Sequence, residues 1–303
     1  MSGWAIGIDV GGTKIAAAVV TPTGEIREQL QVPTQAANGP EALISRLAEL
    51  AIALHARYPG VSAVGVGSAG QIDHRMGIVT YANENLPGWT GMPIAARLAA
   101  ALGLPIYVEN DVRAMALAEA VWGAGKGSRV LLAATIGTGV GGALVLDGEV
   151  FRGAGGGAGE LGHIPVTAGG PRCGCGRRGC LEAYAAGPRI AAAYARAVGR
   201  RPVDLEAVAT AAAAGDALAI AAFDRAGRLL GRVLAGLANV LDPDCLVIGG
   251  GGAAAGEVLL APMRSSMAAH LLPPVAARMA VLPVALGESA GVLGAAYVAL
   301  RHL

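Results

Sequence analysis

Between Phe151 and Tyr184 the chain reads FRGAGGGAGELGHIPVTAGGPRCGCGRRGCLEAY. Two carboxylates (Glu160, Glu182), His163 and three of the four cysteines lie there among glycines. Cys173, Cys175 and Cys180 follow C-x-C-x4-C, and His163 stands ten residues before the first of them. These are the donor types and the count of a closed tetrahedral zinc site. Such an ion would hold a loop too rich in glycine to hold itself, and so would position Glu160 and Glu182. The competing reading is a disulfide or a set of loose buried thiols. A disulfide pairs two cysteines and strands the third, and nothing else in the sequence points to an oxidising compartment. Zinc is the favoured reading. Cys245, away from the cluster in a strand, is expected to be a buried, inert thiol.

A second group of residues fits phosphate chemistry. AIGIDV (Ala5–Val10) ends near Asp9 and is followed by Gly11-Gly12-Thr13-Lys14, then by the apolar run IAAAVV and the turn TPTG at Thr21–Gly24. Apolar run, glycine turn and apolar run predict a β-hairpin. Glycine lets backbone N–H groups converge on a phosphate. Asp9 could hold magnesium through water, since that ion prefers carboxylate, phosphate and water oxygens. The plain alternative is an ordinary hairpin. Residues 131–146, LLAATIGTGVGGALVL, repeat the pattern with Thr138 and Gly139 in the turn. Two similar hairpins predict a duplicated architecture in which both turns hold the phosphates of one nucleotide. LVIGGGG (Leu246–Gly252) is a further strand opening onto glycines, where Gly250 and Gly251 would let a flat nucleotide approach.

The elements that must position these residues follow from spacing and punctuation. Glu41–Tyr58 has helical periodicity after Pro40, and Val61–Val66 is a strand leading into Gly67-Ser68-Ala69-Gly70. Pro93–Leu102 is predicted helical, Pro105–Val108 a strand, Ala114–Trp122 a helix and Gly227–Leu241 another. Asp111 thus falls between strand and helix, where open α/β sheets bind ligands. It could simply be a helix N-cap, or it could take a proton from a substrate hydroxyl, the base role in phosphoryl transfer. GVGSAG (Gly65–Gly70) and GTGVGG (Gly137–Gly142) mimic the dinucleotide fingerprint, but no helix follows either, so neither is read as a Rossmann site.

Composition sets the outer bounds. The 303 residues are 54% hydrophobic but only 4% aromatic, so the core must be built from Ala, Val, Leu and Ile. A formal charge of +1 leaves no electrostatic footprint for nucleic acid or an anionic membrane. The mean hydropathy is +0.53, and Val130–Leu146 carries no charge, but its central GTGVGG would weaken a spanning helix. A soluble, cytoplasmic protein without a signal peptide is expected.

Taken together, DVGGTK (Asp9–Lys14), ENDVRA (Glu109–Ala114), TIGTGVGG (Thr135–Gly142), GELGH (Gly159–His163), CGCGRRGCLE (Cys173–Glu182) and LVIGGG (Leu246–Gly251) resemble the ROK family of sugar kinases, repressors and open reading frames. The resemblance runs from about residue 5 to residue 300. It implies an α/β, two-lobed actin/hexokinase-like (ribonuclease H-like) duplicated fold with ATP in the interdomain cleft. The lobes would be residues 1–115 with about 288–303, and residues 116–287. It implies transfer of the γ-phosphate of Mg-ATP to the 6-hydroxyl of a hexose, with Asp111 as the base. Asn110, Glu160, His163 and Glu182 match the family's sugar-binding residues, and Asn85 in NLPGW and Gly70 are placed with them. His163, Cys173, Cys175 and Cys180 match its zinc ligands, so His163 would bind zinc through one ring nitrogen and face the sugar with the other. Homodimers or homotetramers are common in the family.

Glucose is the first substrate expected, because Glu160 is present in E-L-G-H. N-acetylmannosamine is the alternative, since the zinc region also looks like that of its kinases; N-acetylglucosamine and fructose follow. Polyphosphate as donor would favour a basic channel, and only Arg172, Arg177 and Arg178 are at hand. A sugar-responsive repressor would need a DNA-binding module ahead of the first glycine turn, for which residues 1–10 leave no room. A non-catalytic sugar-binding protein would not need Asp9, Asp111 and both glycine turns.

Overall fold

The first strand already shows why the sheet has two unlike faces. In AIGIDV the large residues Ile6, Ile8 and Val10 alternate with Ala5, Gly7 and Asp9, and side chains of a strand point alternately to opposite faces. In the computed structural model, which describes residues 3–82, 86–199, 203–252 and 255–303, the large face packs under helices and the small face lets another helix lie close.

The chain divides into two compact units. The first comprises Met1–Gly127, Leu144–Ala158 and Val284–Leu303; the second comprises Ser128–Ala143 and Gly159–Pro283.

In the first unit, β1 (Trp4–Val10), β2 (Lys14–Val20), β3 (Ile26–Pro33), β4 (Val61–Ser68) and β7 (Ile106–Asn110) form a sheet of order β3-β2-β1-β4-β7. The first three strands are antiparallel; β4 lies parallel to β1, and β7 parallel to β4. A separate two-stranded ribbon pairs β5 (Gln71–Asp73) with β6 (Ile78–Tyr81). Helices α1 (Pro40–Arg57) and α2 (Ile94–Leu102) cover the large face. There Ile6, Ile8, Ile15, Val64, Leu47, Leu54 and Trp89 form one core. Helix α3 (Asp111–Val121) and α10 (Ala290–Leu300) serve the alanine-rich face, where Ala5, Ala16, Ala18 and Ala63 meet Val292 and Ala296. A Cβ on Gly7 or Gly65 would overlap the α10 backbone, so glycine at these positions sets the close approach of helix to sheet.

In the second sheet, β8 (Val130–Ile136), β9 (Val140–Leu146), β10 (Glu149–Val150), β11 (Cys245–Gly249) and β12 (Ala280–Pro283) run in the order β10-β9-β8-β11-β12. β10 is antiparallel to β9, whereas β11 is parallel to both β8 and β12. Strand for strand this repeats the first sheet, so the duplication expected from the two hairpins is present. Along β9 the chain passes from the second unit into the first.

The second unit's core is built around α7 (Ala217–Leu241), with α4 (Glu182–Ala185), α5 (Gly187–Ala197), α6 (Leu205–Ala213), α8 (Glu257–His270) and α9 (Pro273–Arg278). α7 begins ten residues before the expected Gly227. Asp216 caps it, its Oδ1 accepting from Leu218 N and Ala219 N. Gly227 and Gly231 are not ends but crossing points, since a Cβ on Gly227 would stand 2.6 Å from Leu259 O of α8. α3 likewise starts three residues earlier than expected, at Asp111. Its N-cap is Asn110, whose side chain accepts from Arg113 N, so the cap falls one residue before Asp111. No single helix among the described residues is long and apolar enough to cross a membrane.

Candidate functional site

The first unit carries the aspartates. Asp9 lies on the small-residue face of β1, at the end of the row Ala5, Gly7, Asp9. Its carboxylate occupies the space a side chain on Gly291 would fill, in the first turn of α10. Burial first, and then the neighbouring Asp111 carboxylate, push Asp9 up to about 7, with Lys14 pulling the other way. A carboxylate so placed favours a proton or a cation. The adjacent turn is braced by Thr34: Gly11 O accepts from Thr34 Oγ1 at 2.7 Å, and Thr13 O from Thr34 N at 2.9 Å. Nothing stands within 4 Å of where a Cβ on Gly12 would be. Lys14 Nζ donates to Glu288 Oε2 at 2.6 Å, an exposed pair that an incoming phosphate can exchange at small cost.

Asp111 opens α3 at the end of β7. Its Oδ1 accepts from Asn110 Nδ2 at 2.8 Å and from Val112 N at 2.9 Å. Asn110 is held in turn: its Nδ2 also donates to Gly70 O at 3.0 Å, and its Oδ1 caps Arg113 N at 3.1 Å. Gly70 has φ +102, a conformation that glycine adopts without strain. The structure therefore brings Gly70, Asn110 and Asp111 into one hydrogen-bonded set, with Asp9 electrostatically coupled to Asp111. Asn85 lies outside the described residues. Nearby in sequence, the buried Trp89 donates from Nε1 to Ser68 Oγ at 2.9 Å, fixing the strand end of β4.

Beneath this set lies a network to which sequence reasoning gave no role. Glu109, fully buried, accepts from Arg152 Nε at 2.7 Å and from Asn110 N at 3.0 Å. Arg113, also buried, lies with Nη1 3.6 Å from Glu109 Oε1, and its Nη2 donates to Gly156 O and Ala158 O at 2.7 and 2.6 Å. The glycine-rich loop after Phe151 is thereby fastened to the strand end that carries Asp111. Glu109 and Arg113, opposite charges four residues apart within ENDVRA, were the available signal.

The second unit carries the Cys/His cluster. His163, Cys173, Cys175 and Cys180 bring their ligand atoms within 4.8 Å of one another. Cys175 and Cys180 stand 3.7 Å apart at sulfur, and Cys173 Sγ is 3.6 Å from His163 Nδ1. Zinc bonds of about 2.3 Å to sulfur and about 2.0–2.1 Å to nitrogen imply tetrahedral edges of about 3.8 and about 3.6 Å. The donors fit that ion, with Nδ1 as the histidine ligand atom and Nε2 directed elsewhere. All four cysteines are free thiols, and 3.7 Å is far beyond a disulfide bond. Burial pushes the Cys173 thiol up to about 12. Cys175 is shifted below the ordinary thiol value although burial, the largest influence on it, acts the other way; hydrogen bonds from the Arg177 backbone and from Cys173 and Cys180 outweigh it. Cys245 is buried in β11 against Ser128 Oγ at 3.2 Å, and burial raises its thiol too.

Glu160 and Glu182 flank this cluster. Glu160 is half-buried and precedes the short 3-10 turn Leu161–His163, its carbonyl accepting from His163 N at 3.0 Å. A Cβ on Gly162 would overlap Val140 O, so this segment lies flush on β9. Glu182 Oε2 accepts from Val140 N at 3.1 Å, and Oε1 lies 3.4 Å from Cys173 Sγ. In the turn between β8 and β9, Thr138 is exposed. Gly250 has φ +88 and packs against the Ile136 backbone, whereas Gly251 faces open space.

The family model for the ROK family matches residues 5–302. A glucokinase from Thermotoga maritima is 36% identical over 97% of this chain and 96% of its own length. An N-acetylmannosamine kinase from Escherichia coli is likewise 36% identical, over 97% of both chains. A ROK family glucokinase from Streptomyces griseus, solved in complex with glucose and AMPPNP, superposes with a TM-score of 0.86. It is 34% identical and covers 99% of this chain and 100% of its own. The chain belongs to the ROK family. Its duplicated α/β architecture is the two-lobed actin-like fold of these relatives.

Proposed function

We propose that this chain is an ATP-dependent sugar kinase that transfers the γ-phosphate of ATP to the 6-hydroxyl of a hexose, with glucose the preferred acceptor. The observation that carries this is Asp111, whose Oδ1 is fixed by Asn110 Nδ2 and Val112 N at the head of α3. A carboxylate so held can take the proton of an attacking hydroxyl without first reorganising. The full-length similarity to glucokinases supports the same class of reaction.

Asn110, Glu160, His163, Glu182, Gly70 and Asn85 would bind the sugar, whose hydroxyls need directional acceptors and donors. The turns at Gly11–Lys14 and Thr138–Gly139, with Gly250 and Gly251, would receive the nucleotide. Magnesium, near Asp9 through water, would offset the phosphate charge. Zinc held by His163, Cys173, Cys175 and Cys180 would fix the loop that carries the sugar contacts; its role is structural.

N-acetylmannosamine is the second reading, favoured by the equal identity to its kinase. A coupled ADP-release assay with Mg-ATP and glucose, N-acetylmannosamine, N-acetylglucosamine or fructose tests both. A kcat/KM for glucose at least tenfold above the others supports the first reading. Preference for an acetamido sugar replaces it with the second, and no turnover with any of the four reopens the question of the phosphoryl donor, with polyphosphate the next one tested.

A further inference from the structure

Gly139 is a glycine for a reason that phosphate binding does not supply. Its φ is not positive, so its backbone conformation is open to other residues. The space beside it is already occupied: a Cβ there would stand 2.7 Å from Glu182 Oε2. Gly137, in the same turn, meets nothing within 4 Å. The missing side chain at 139 thus admits a carboxylate, and that carboxylate accepts from Val140 N, the first residue of β9.

Three further contacts make the turn a braced structure. Gly137 N donates to Gly139 O at 2.9 Å, and Gly187 N, opening α5, donates to Gly137 O at 2.8 Å. Gly162 packs against Val140 O so closely that no side chain fits. Glu182 and Gly187 belong to the segment that follows Cys180, the last cysteine of the cluster, so these braces of the glycine turn come from the rim of the Cys/His cluster.

We propose that Glu182 is a positioning residue for the nucleotide turn Gly137–Val140, in addition to any contact it makes with sugar. Its carboxylate holds Val140 N, and with it the direction in which the backbone N–H groups of the turn face the phosphates. Preorganised donors cost no reorganisation when the anion arrives. A carboxylate has about four acceptor positions, so one side chain can serve the turn and a sugar hydroxyl together. The inference rests on the kinase reading above and adds to it: nucleotide affinity depends on Glu182 even when no sugar is present.

Calorimetric titration of ADP into the sugar-free protein tests it, with zinc content measured on the same samples. Glu182→Ala removes the acceptor, and ADP is expected to bind about tenfold more weakly, the scale of one lost charge-assisted hydrogen bond. Glu182→Gln retains a carbonyl oxygen and is expected to recover most of the affinity; zinc per chain is expected to match wild type in both. ADP affinity in Glu182→Ala equal to wild type overturns the proposal while leaving the kinase reading in place. Wild-type protein that binds no ADP overturns both. If Glu182→Ala yields no folded protein, Glu182→Asp decides, because its shorter side chain withdraws the carboxylate from Val140 N: about tenfold weaker ADP binding supports the proposal and unchanged binding overturns it.

Discussion

The carboxylate of Asp9 stands where the side chain of residue 291 would be, and only glycine at 291 leaves it room. β1 delivers Asp9 to the first turn of α10, where the helix dipole favours negative charge. Substitution of Gly291 by Ala should therefore act on Asp9. The expected outcome is a fall in kcat/KM of at least about tenfold, with a raised magnesium requirement and unchanged circular dichroism. Steady-state kinetics across a magnesium series check it; a magnesium dependence identical to wild type would sink the assignment.

Asp9 also makes the protein pH-sensitive in two opposite ways. Its folded-state value of about 7 lies above the ordinary 3.8, through burial and then through Asp111. The folded protein thus keeps a proton that the unfolded chain releases, and this contribution to stability is full below about pH 4 and fades as pH rises to about 7. Magnesium needs the ionised form, so activity should decline as pH falls through about 7, with the midpoint moving lower as magnesium is raised. Without magnesium, Asp9→Asn should melt a few degrees above wild type at pH 8 and show little difference at pH 4. Thermal melts at the two values decide.

Asp111 is the expected base. Asp111→Asn preserves an oxygen for Asn110 Nδ2 and Val112 N but cannot take a proton. kcat should drop about 10²–10⁴-fold, while sugar affinity stays within a few fold and the melting temperature within a few degrees. Near-normal turnover would remove Asp111 from the mechanism.

The Cys/His cluster should carry about one zinc per chain, the complement of its four donors. Elemental analysis of protein purified without chelator measures this. Cys175→Ser should lower the zinc content and weaken sugar binding, because Glu160 and His163 lie on a loop with little other regular structure. Full sugar affinity in zinc-free protein would show that the loop stands without the metal.

Much of this molecule is legible in its sequence. The Cys/His spacing, the two glycine hairpins and ENDVRA are short-range patterns, and metal geometry, turn conformation and strand-to-helix junctions are settled by residues close in the chain. For the same reason the duplicated fold could be read from two hairpins. Local signals misled where a glycine served packing: Gly227 looked like a helix boundary and lies inside α7, against Leu259 of α8. The cap of α3 was displaced by one residue because Asn110 and Asp111 are both good caps, and only the backbone shows which one accepts from Arg113.

By itself the sequence determined which side chains could do chemistry, the family they form and the sheet pattern that carries them. Tertiary structure alone decided the pairings: Asp9 with Gly291, Glu109 with Arg152, Glu182 with Val140. Each joins residues distant in the chain, and a single buried carboxylate has many acceptable donors in composition but few in space. Which donor it meets is set by how closely helices and loops pack on the strands, and that closeness is a property of the folded chain as a whole.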